Sequence, residues 1–287
     1  MIVVYTSDLH GNDELYSELF ELAEEGRAQA VTIGGDMLPM QGSLQYSLLE
    51  QKDFIFSYLG PKLRYFLSKA PQVTIYAMLG NEDWGASSAH LRDLEEQGVL
   101  RLSHGQKHVL GDVYELIGYA YVPPTPFIIE DGERRDLQKD SAEQQRCTAC
   151  CSQEEKIVVV DPRQYLGQMK SIEEELQELP TARESHTAVY VRHSPPFRTN
   201  LDRLFDGRWI GSRAIRLSIE RHQPYLSLHG HIHESSEISG QYWDRIGMTV
   251  CINPGRSTEE LYAVVFKLED VSKTLEHTVF GRMDVEA

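Results

Sequence analysis

Ile2-Val3-Val4-Tyr5-Thr6-Ser7-Asp8-Leu9-His10 is the stretch on which the reading of this chain turns. Five residues of β-branched and aromatic character predict a short buried strand, and the polar Ser7-Asp8-Leu9-His10 that follows predicts a loop at its carboxyl end. Leu15, Leu19 and Leu22 then recur at helical spacing between Glu14 and Glu25, so the order is strand, loop, helix. That order repeats outward. Ala30–Ile33 and Val73–Leu79 read as strands, Leu44–Leu67 as a helical region interrupted at Gly60-Pro61, and Ser87–Gln97 as a helix. Alternation of this kind places the chain in the α/β class.

Short strands follow around residues 99–102, 107–110 and 113–119, and they begin a second sheet. The pattern then breaks. Residues 123–155 run from Pro123-Pro124-Thr125-Pro126 through a charge-rich stretch to Cys147, Cys150 and Cys151, and read as an excursion inserted into a single domain spanning 1–287. Beyond it come a helix over 162–178, strands over 187–191, 225–228, 249–252 and 262–268, and a helix over 212–221.

Polar residues collect where these strands end. Asp8 and His10 follow the first strand, Gly34-Gly35-Asp36 the second, Gly80-Asn81-Glu82-Asp83 the third, His193-Ser194-Pro195-Pro196 a later one, and His229-Gly230-His231-Ile232-His233 another. Open α/β sheets place ligand crevices at this edge. Carboxylate and neutral imidazole are donors to divalent transition metals, and one Asp can give an oxygen to each of two ions. Gly35, Gly80 and Gly230 suit turns in which backbone passes close to such a site. Asp-x-His alone is expected by chance about 0.6 times in a chain of this composition and Gly-His-x-His about 0.03 times; the ordered set carries the argument.

In that order the motifs resemble those of the calcineurin-like metallophosphoesterase family, from Asp8 to His233, and the His193-Ser-Pro-Pro, Leu201-Asp-Arg, Gly211-Ser-Arg-Ala-Ile, Gly230-His-Ile-His-Glu and Asn253-Pro-Gly-Arg segments look like its small prokaryotic branch. The resemblance implies a four-layer sandwich of two mixed β-sheets flanked by helices, with a dinuclear metal site at the strand carboxyl ends. It implies one metal held by Asp8, His10, Asp36 and His233, and another by Asp36, Asn81, His193 and His231, with Asp36 and a shared water or hydroxide between them. The activity implied is hydrolysis of a small phosphate monoester, phosphodiester or nucleotide by that hydroxide. Manganese, iron, zinc or nickel all suit these donors.

The sequence departs from the family at one position: Glu82 stands where the motif has a His that stabilises charge or protonates the leaving oxygen. Three routes stay open, namely a leaving group that needs no acid, a Glu82 with a raised pKa, or His229 reaching in. A weakly active or non-catalytic module that binds phosphate or a partner is the alternative function. Asp83 is expected to orient a ligand His, Gly211-Ser212 to cap a helix, Arg134 and Arg135 to be solvated, and the three clustered cysteines to form an inert surface group.

Composition sets outer bounds. Lys and Arg number 28 against 44 Asp and Glu, a net charge of −16, which repels phosphate backbones and argues against duplex nucleic acid as a partner, including for a repair-type nuclease. The expected partner is a small phosphorylated substrate, with a homo-oligomer left open. No apolar run approaches a membrane span, the opening residues lack a signal-peptide pattern, and four cysteines make no disulfide framework, so a cytoplasmic protein with reduced thiols is expected.

Overall fold

The computed structural model describes residues 1–40, 42–142, 146–283 and 285. Its first sheet joins β1 (Ile2–Thr6), β2 (Ala30–Ile33), β3 (Thr74–Ala77) and β4 (Arg101–Leu102) in parallel. The second contains β5 (Lys107–Leu110) and β6 (Tyr114–Tyr119), then, after a separate two-stranded hairpin of β7 (Ala149–Gln153) and β8 (Lys156–Val160), β9 (Ala188–Arg192), β10 (Leu226–Leu228), β11 (Trp243–Ile246) and β12 (Thr249–Ile252). The chain returns to the first sheet through β13 (Ala263–Lys267), antiparallel to β1, and closes its edge with β14 (Glu276–His277) and β15 (Gly281–Arg282). Both sheets are mixed: in the second, β6, β9, β10 and β12 run parallel while β5 and β11 pair antiparallel at the edges.

The apolar runs are continuous because both faces of each central strand are buried. Val3 and Tyr5 of β1 pack between the sheets with Val189, Val191, Leu226 and Ile252, whereas Val4 turns to the outer helices. Those helices are α1 (Asp13–Glu25), α2 (Leu44–Phe54), α3 (Gly60–Lys69) and α4 (Ser87–Glu96). On the far side, α5 (Pro162–Gln168), α6 (Ile172–Glu178) and α7 (Arg213–His222) follow in the chain, and Ile172, Ile215 and Ile219 pack with Cys251 of the second sheet. Helix, sheet, sheet, helix is the four-layer order.

Two helical boundaries differ from expectation. The interruption near Gly60-Pro61 is a π turn over Ile55–Leu59, and Pro61 lies within the first two positions of α3. A proline ring clashes with the carbonyl four residues back and offers no N–H, and the wider turn before it accommodates both. The helix expected over 162–178 is two helices. Ser171 restarts it with a capping box, its Oγ accepting from Glu174 N while Glu174 Oε2 accepts from Ser171 N.

The stretch 123–155 packs against the rest. Ile129 and Cys150 meet Leu48 of α2 and Trp84. The Asp131 carboxylate accepts from Gly85 N at 2.8 Å, Ser152 N at 3.0 Å and Ser152 Oγ, joining the loop after β3 to the β7–β8 hairpin. Arg134 is buried, not solvated: its guanidinium lies 3.7 Å from the Tyr121 ring centroid and pairs with Glu175. Arg135 ties to the Leu166 and Met169 carbonyls at the α5–α6 joint. The cysteines are not a surface group either, since only Cys147 is exposed. Burial raises the Cys150 and Cys151 thiols, which disfavours the reactive thiolate. Among the described residues no helix is long and apolar enough to cross a membrane.

Candidate metal centre

Five strand ends deliver the expected donors to one place. Asp8 and His10 extend from β1, Asp36 from β2, Asn81 from β3, His193 from β9, and His231 and His233 from β10. One ligand atom each from Asp8, His10, Asp36 and His233 lie within 4.8 Å of one another, as do atoms from Asp36, His193 and His231. Asp36 belongs to both groups. The Asn81 Oδ1 is 3.1 Å from His193 Nε2, beside the second group. Among the described residues no other group of three His, Cys, Asp or Glu side chains comes together this way.

The backbone is strained to achieve this. Asp8, His10, Asp36 and His231 all occupy the left-handed region, with φ of 60°, 45°, 47° and 67°. Non-glycine residues adopt it at a cost, and such outliers gather where function demands a particular side-chain direction. Interlocking loops hold the conformation: Asp8 N donates to Gly35 O, His10 N to Asp36 O, and His231 N to the Asp8 carboxylate. Gly80 shows how close the loops come, for a Cβ there would lie 2.2 Å from Asp36 Oδ1.

Protonation states follow from the neighbours. His193 Nδ1 donates to Gly34 O at 2.9 Å, which leaves Nε2 facing Asp36 Oδ2 at 3.2 Å. Burial opposes its charge, yet Asp36 and Asp8 raise the ring to about 9. Burial alone would raise Asp8 and Asp36, but the surrounding imidazoles hold both carboxyls below their usual range. Burial depresses His10 to about 4 and His231 to about 3. His10 Nε2 and His233 Nε2 face each other at 3.4 Å, and His233 Nε2 lies 3.3 Å from Asp8 Oδ1. Imidazole nitrogens aimed at one another across buried carboxylates fit a cation between them.

Glu82 is placed beside a donor. Its Oε2 lies 3.4 Å from His10 Nδ1, the nitrogen that does not face His233, and its backbone N donates to Asp36 Oδ1. Burial and the Asp36 charge push its carboxyl up to about 7.

The geometry removes His229 as a proton donor. Its Nδ1 reaches the Arg192 and Ser194 carbonyls at 3.0 and 2.9 Å, so the proton sits there; Nε2 is buried without a partner among the described residues, and burial lowers the ring to about 3. Asp83 orients no histidine. Its carboxylate accepts from the backbone of Met37, Leu38 and Gly80, tying the second ligand loop to the third. At Gly211-Ser212 the cap is present, Ser212 Oγ accepting from Ile215 N, and the carboxylate near the helix start is the chain's own Asp136.

Sequence reasoning gave no role to three residues. Asn253 Nδ2 donates to the carbonyls of Leu201, Gly230 and Ile232 and so braces the His231–His233 turn; the Asn-Pro-Gly-Arg segment was the available signal. Arg256 Nε donates to Asp8 O. Arg146 borders a cleft of 780 Å³ together with Asp36, Glu82, His231, His233 and Pro123–Phe127, and its Nη2 pairs with Glu130 and Glu133 at 2.8 Å. No pattern around residue 146 marked it.

No curated protein matches the chain in sequence. The structure of TT1561 of Thermus thermophilus is similar with a TM-score of 0.59 at 16% identity, covering 97% of this chain and 98% of that one. A dimetal phosphatase from Danio rerio is similar with a TM-score of 0.51 at 10% identity, covering 92% and 91%. At these identities the likeness is one of fold. The sequence model of the calcineurin-like phosphoesterases matches residues 1–235, and the chain belongs to that family.

Proposed function

We propose that this protein is a two-metal hydrolase of small phosphorylated compounds, acting on a monoester, diester or nucleotide whose leaving group needs little protonation. The carrying observation is the convergence of seven donor side chains from five strand ends into two groups that share Asp36. Asp8, His10, Asp36 and His233 would hold one divalent ion, and Asp36, Asn81, His193 and His231 the other; manganese, iron, zinc and nickel suit these donors. Such a pair supplies a water acidic enough to attack phosphorus at neutral pH and positive charge for the phosphoryl oxygens.

The chain's own residues prepare that chemistry. The Gly34 carbonyl holds the His193 Nδ1 proton so that Nε2 is the nitrogen left for a metal, and the Glu82 carboxyl stands 3.4 Å from His10 Nδ1. A carboxyl beside His10 and close to the Asp36 charge is a poorer acid toward a phosphate than a free imidazolium, which favours aryl esters, anhydrides and other good leaving groups as substrates. The cleft volume suits a molecule of nucleotide size, and the charge of Arg146 on its wall is met by Glu130 and Glu133.

The test is a metal-supplemented assay on aryl phosphate and bis-aryl phosphate, with Asp36→Ala as control. Turnover should fall about a thousandfold or more in the variant; metal-independent or Asp36-independent turnover overturns the reading. Glu82 also favours a second reading, a module that binds phosphate with little turnover. Glu82→His separates the two: a rise in activity supports the enzyme, whereas inertness in both forms with metal bound supports the module.

A further inference from the structure

Among the described residues Arg192 is the largest charged side chain that is fully buried, 2% exposed, and it has no counter-ion there. Its contacts are one hydrogen bond, from Nη2 to Ser218 Oγ at 3.0 Å, and the Tyr190 ring, whose centroid is 4.2 Å from Cζ. Nε and Nη1 are buried without an acceptor among those residues. A desolvated cation normally keeps a carboxylate beside it, because only a paired charge offsets the lost hydration. Arg134, the other buried arginine among the described residues, obeys that rule with Glu175, and the partly buried Arg146 has Glu130 and Glu133.

Strand alternation sends Arg192 away from the metal centre. Val189 and Val191 of β9 face the other sheet, so Tyr190 and Arg192 face outward. There Arg192 borders a cavity of 230 Å³ between the second sheet and the segments around α6 and α7. Ser218, Arg221 and His222 line it from α7, and Leu176 and Leu179 from the other side. In a chain of net charge −16, no Asp or Glu among the described residues lines this cavity.

We propose that this cavity is a binding site for a small oxyanion, recognised by the Arg192 guanidinium and the Ser218 hydroxyl, with Arg221 at the rim. The ligand supplies the counter-charge that the fold omits, and the space admits phosphate or a small carboxylate. The site is separate from the metal cluster, although Arg192 and the donor His193 share a peptide bond.

The experiment is calorimetric titration of the metal-loaded full chain with inorganic phosphate and, in a second arm, acetate. A component of binding should weaken about tenfold or more in Arg192→Gln and less in Arg221→Gln, with turnover unchanged in Arg221→Gln. The anion that gives the Arg192-dependent component identifies the source. Wild-type crystals soaked in selenate supply an independent readout: an anomalous peak beside Arg192 is expected, and it decides the matter if Arg192→Gln does not fold. The proposal is overturned if neither anion shows an Arg192-dependent component up to about 10 mM, or if the soaked crystals carry selenate only at the metal centre.

Discussion

The donor cluster and the 123–155 stretch both line one cleft and differ in what holds them. The donors are fixed by backbone: four of them sit at positive φ, and their loops are tied by main-chain hydrogen bonds and by the Asp83 carboxylate. The 123–155 stretch, besides its own main-chain bonds and the packing of Ile129 and Cys150, is tied by side-chain charges whose partners lie far off in sequence. Asp131 reaches Gly85 and Ser152, Arg146 reaches Glu130 and Glu133, and Arg134 reaches Glu175. Strained backbone gives the reproducible geometry that metal ligation needs, whereas a charge network helps to hold the 123–155 wall of the cleft. The two meet at Gly132, where a Cβ would lie 2.6 Å from Asn81 Cα.

The largest effect should come from pressing on the rigid side. Gly80→Ala places a methyl within 2.2 Å of Asp36 Oδ1 and 2.4 Å of Asp36 N, and neither carboxylate nor backbone can retreat without leaving the cluster. Activity and metal content should fall about a hundredfold with the circular dichroism of the fold retained. A fully metallated, active Gly80→Ala protein would show that the loops are not locked. On the charge-held side, Asp131→Ala strips the acceptor from Gly85 N, Ser152 N and Ser152 Oγ, at a cost of about 2–3 kcal/mol in urea unfolding. Cleavage by protease within 123–155 should accelerate while metal content stays near that of the wild type. Equal loss of metal in both variants would erase the distinction.

This contrast also explains what was legible in the sequence. Each donor lies within a few residues of a strand end, so periodicity located the strands and the residue types located the site. Most strand positions and the shared edge for Asp8, Asp36 and Asn81 came from local signals, the two mixed sheets came from the family resemblance, and β7, β8, β11, β14 and β15 went unread. The rest depended on distance. Asp131 and Ser152 are 21 residues apart, Arg134 and Glu175 are 41 apart, and nothing local says that such charges are buried, so Arg134-Arg135 looked solvated. Thiols of a buried strand, Cys150 and Cys151, looked like a surface cluster for the same reason. Asp83 was assigned to a histidine because motif order does not reveal that three backbone N–H groups surround it. His229 follows the strand pattern, but only the Arg192 and Ser194 carbonyls determine which of its nitrogens carries the proton.

The smallest expected effect concerns the base of the charge-held side and can be read without metal. His104 Nδ1 accepts from Ala120 N at 3.0 Å, and its ring meets Tyr121, on which Arg134 stacks. Burial, and then the Arg134 charge, lower its pKa to about 4. The folded pKa lies below the unfolded value near 6.5, so between those limits the unfolded chain binds the extra proton. Stability is therefore complete above about pH 6.5 and declines as pH falls toward 4, by about 1 kcal/mol at pH 5.5 for this group. His104→Asn keeps an acceptor for Ala120 N but has nothing to titrate. The difference in urea stability between pH 7.5 and 5.5 should shrink by that amount in the variant, while losses from the donor histidines cancel because both proteins carry them. An undiminished pH dependence in His104→Asn would mean that protonation of His104 does not loosen the 123–155 stretch.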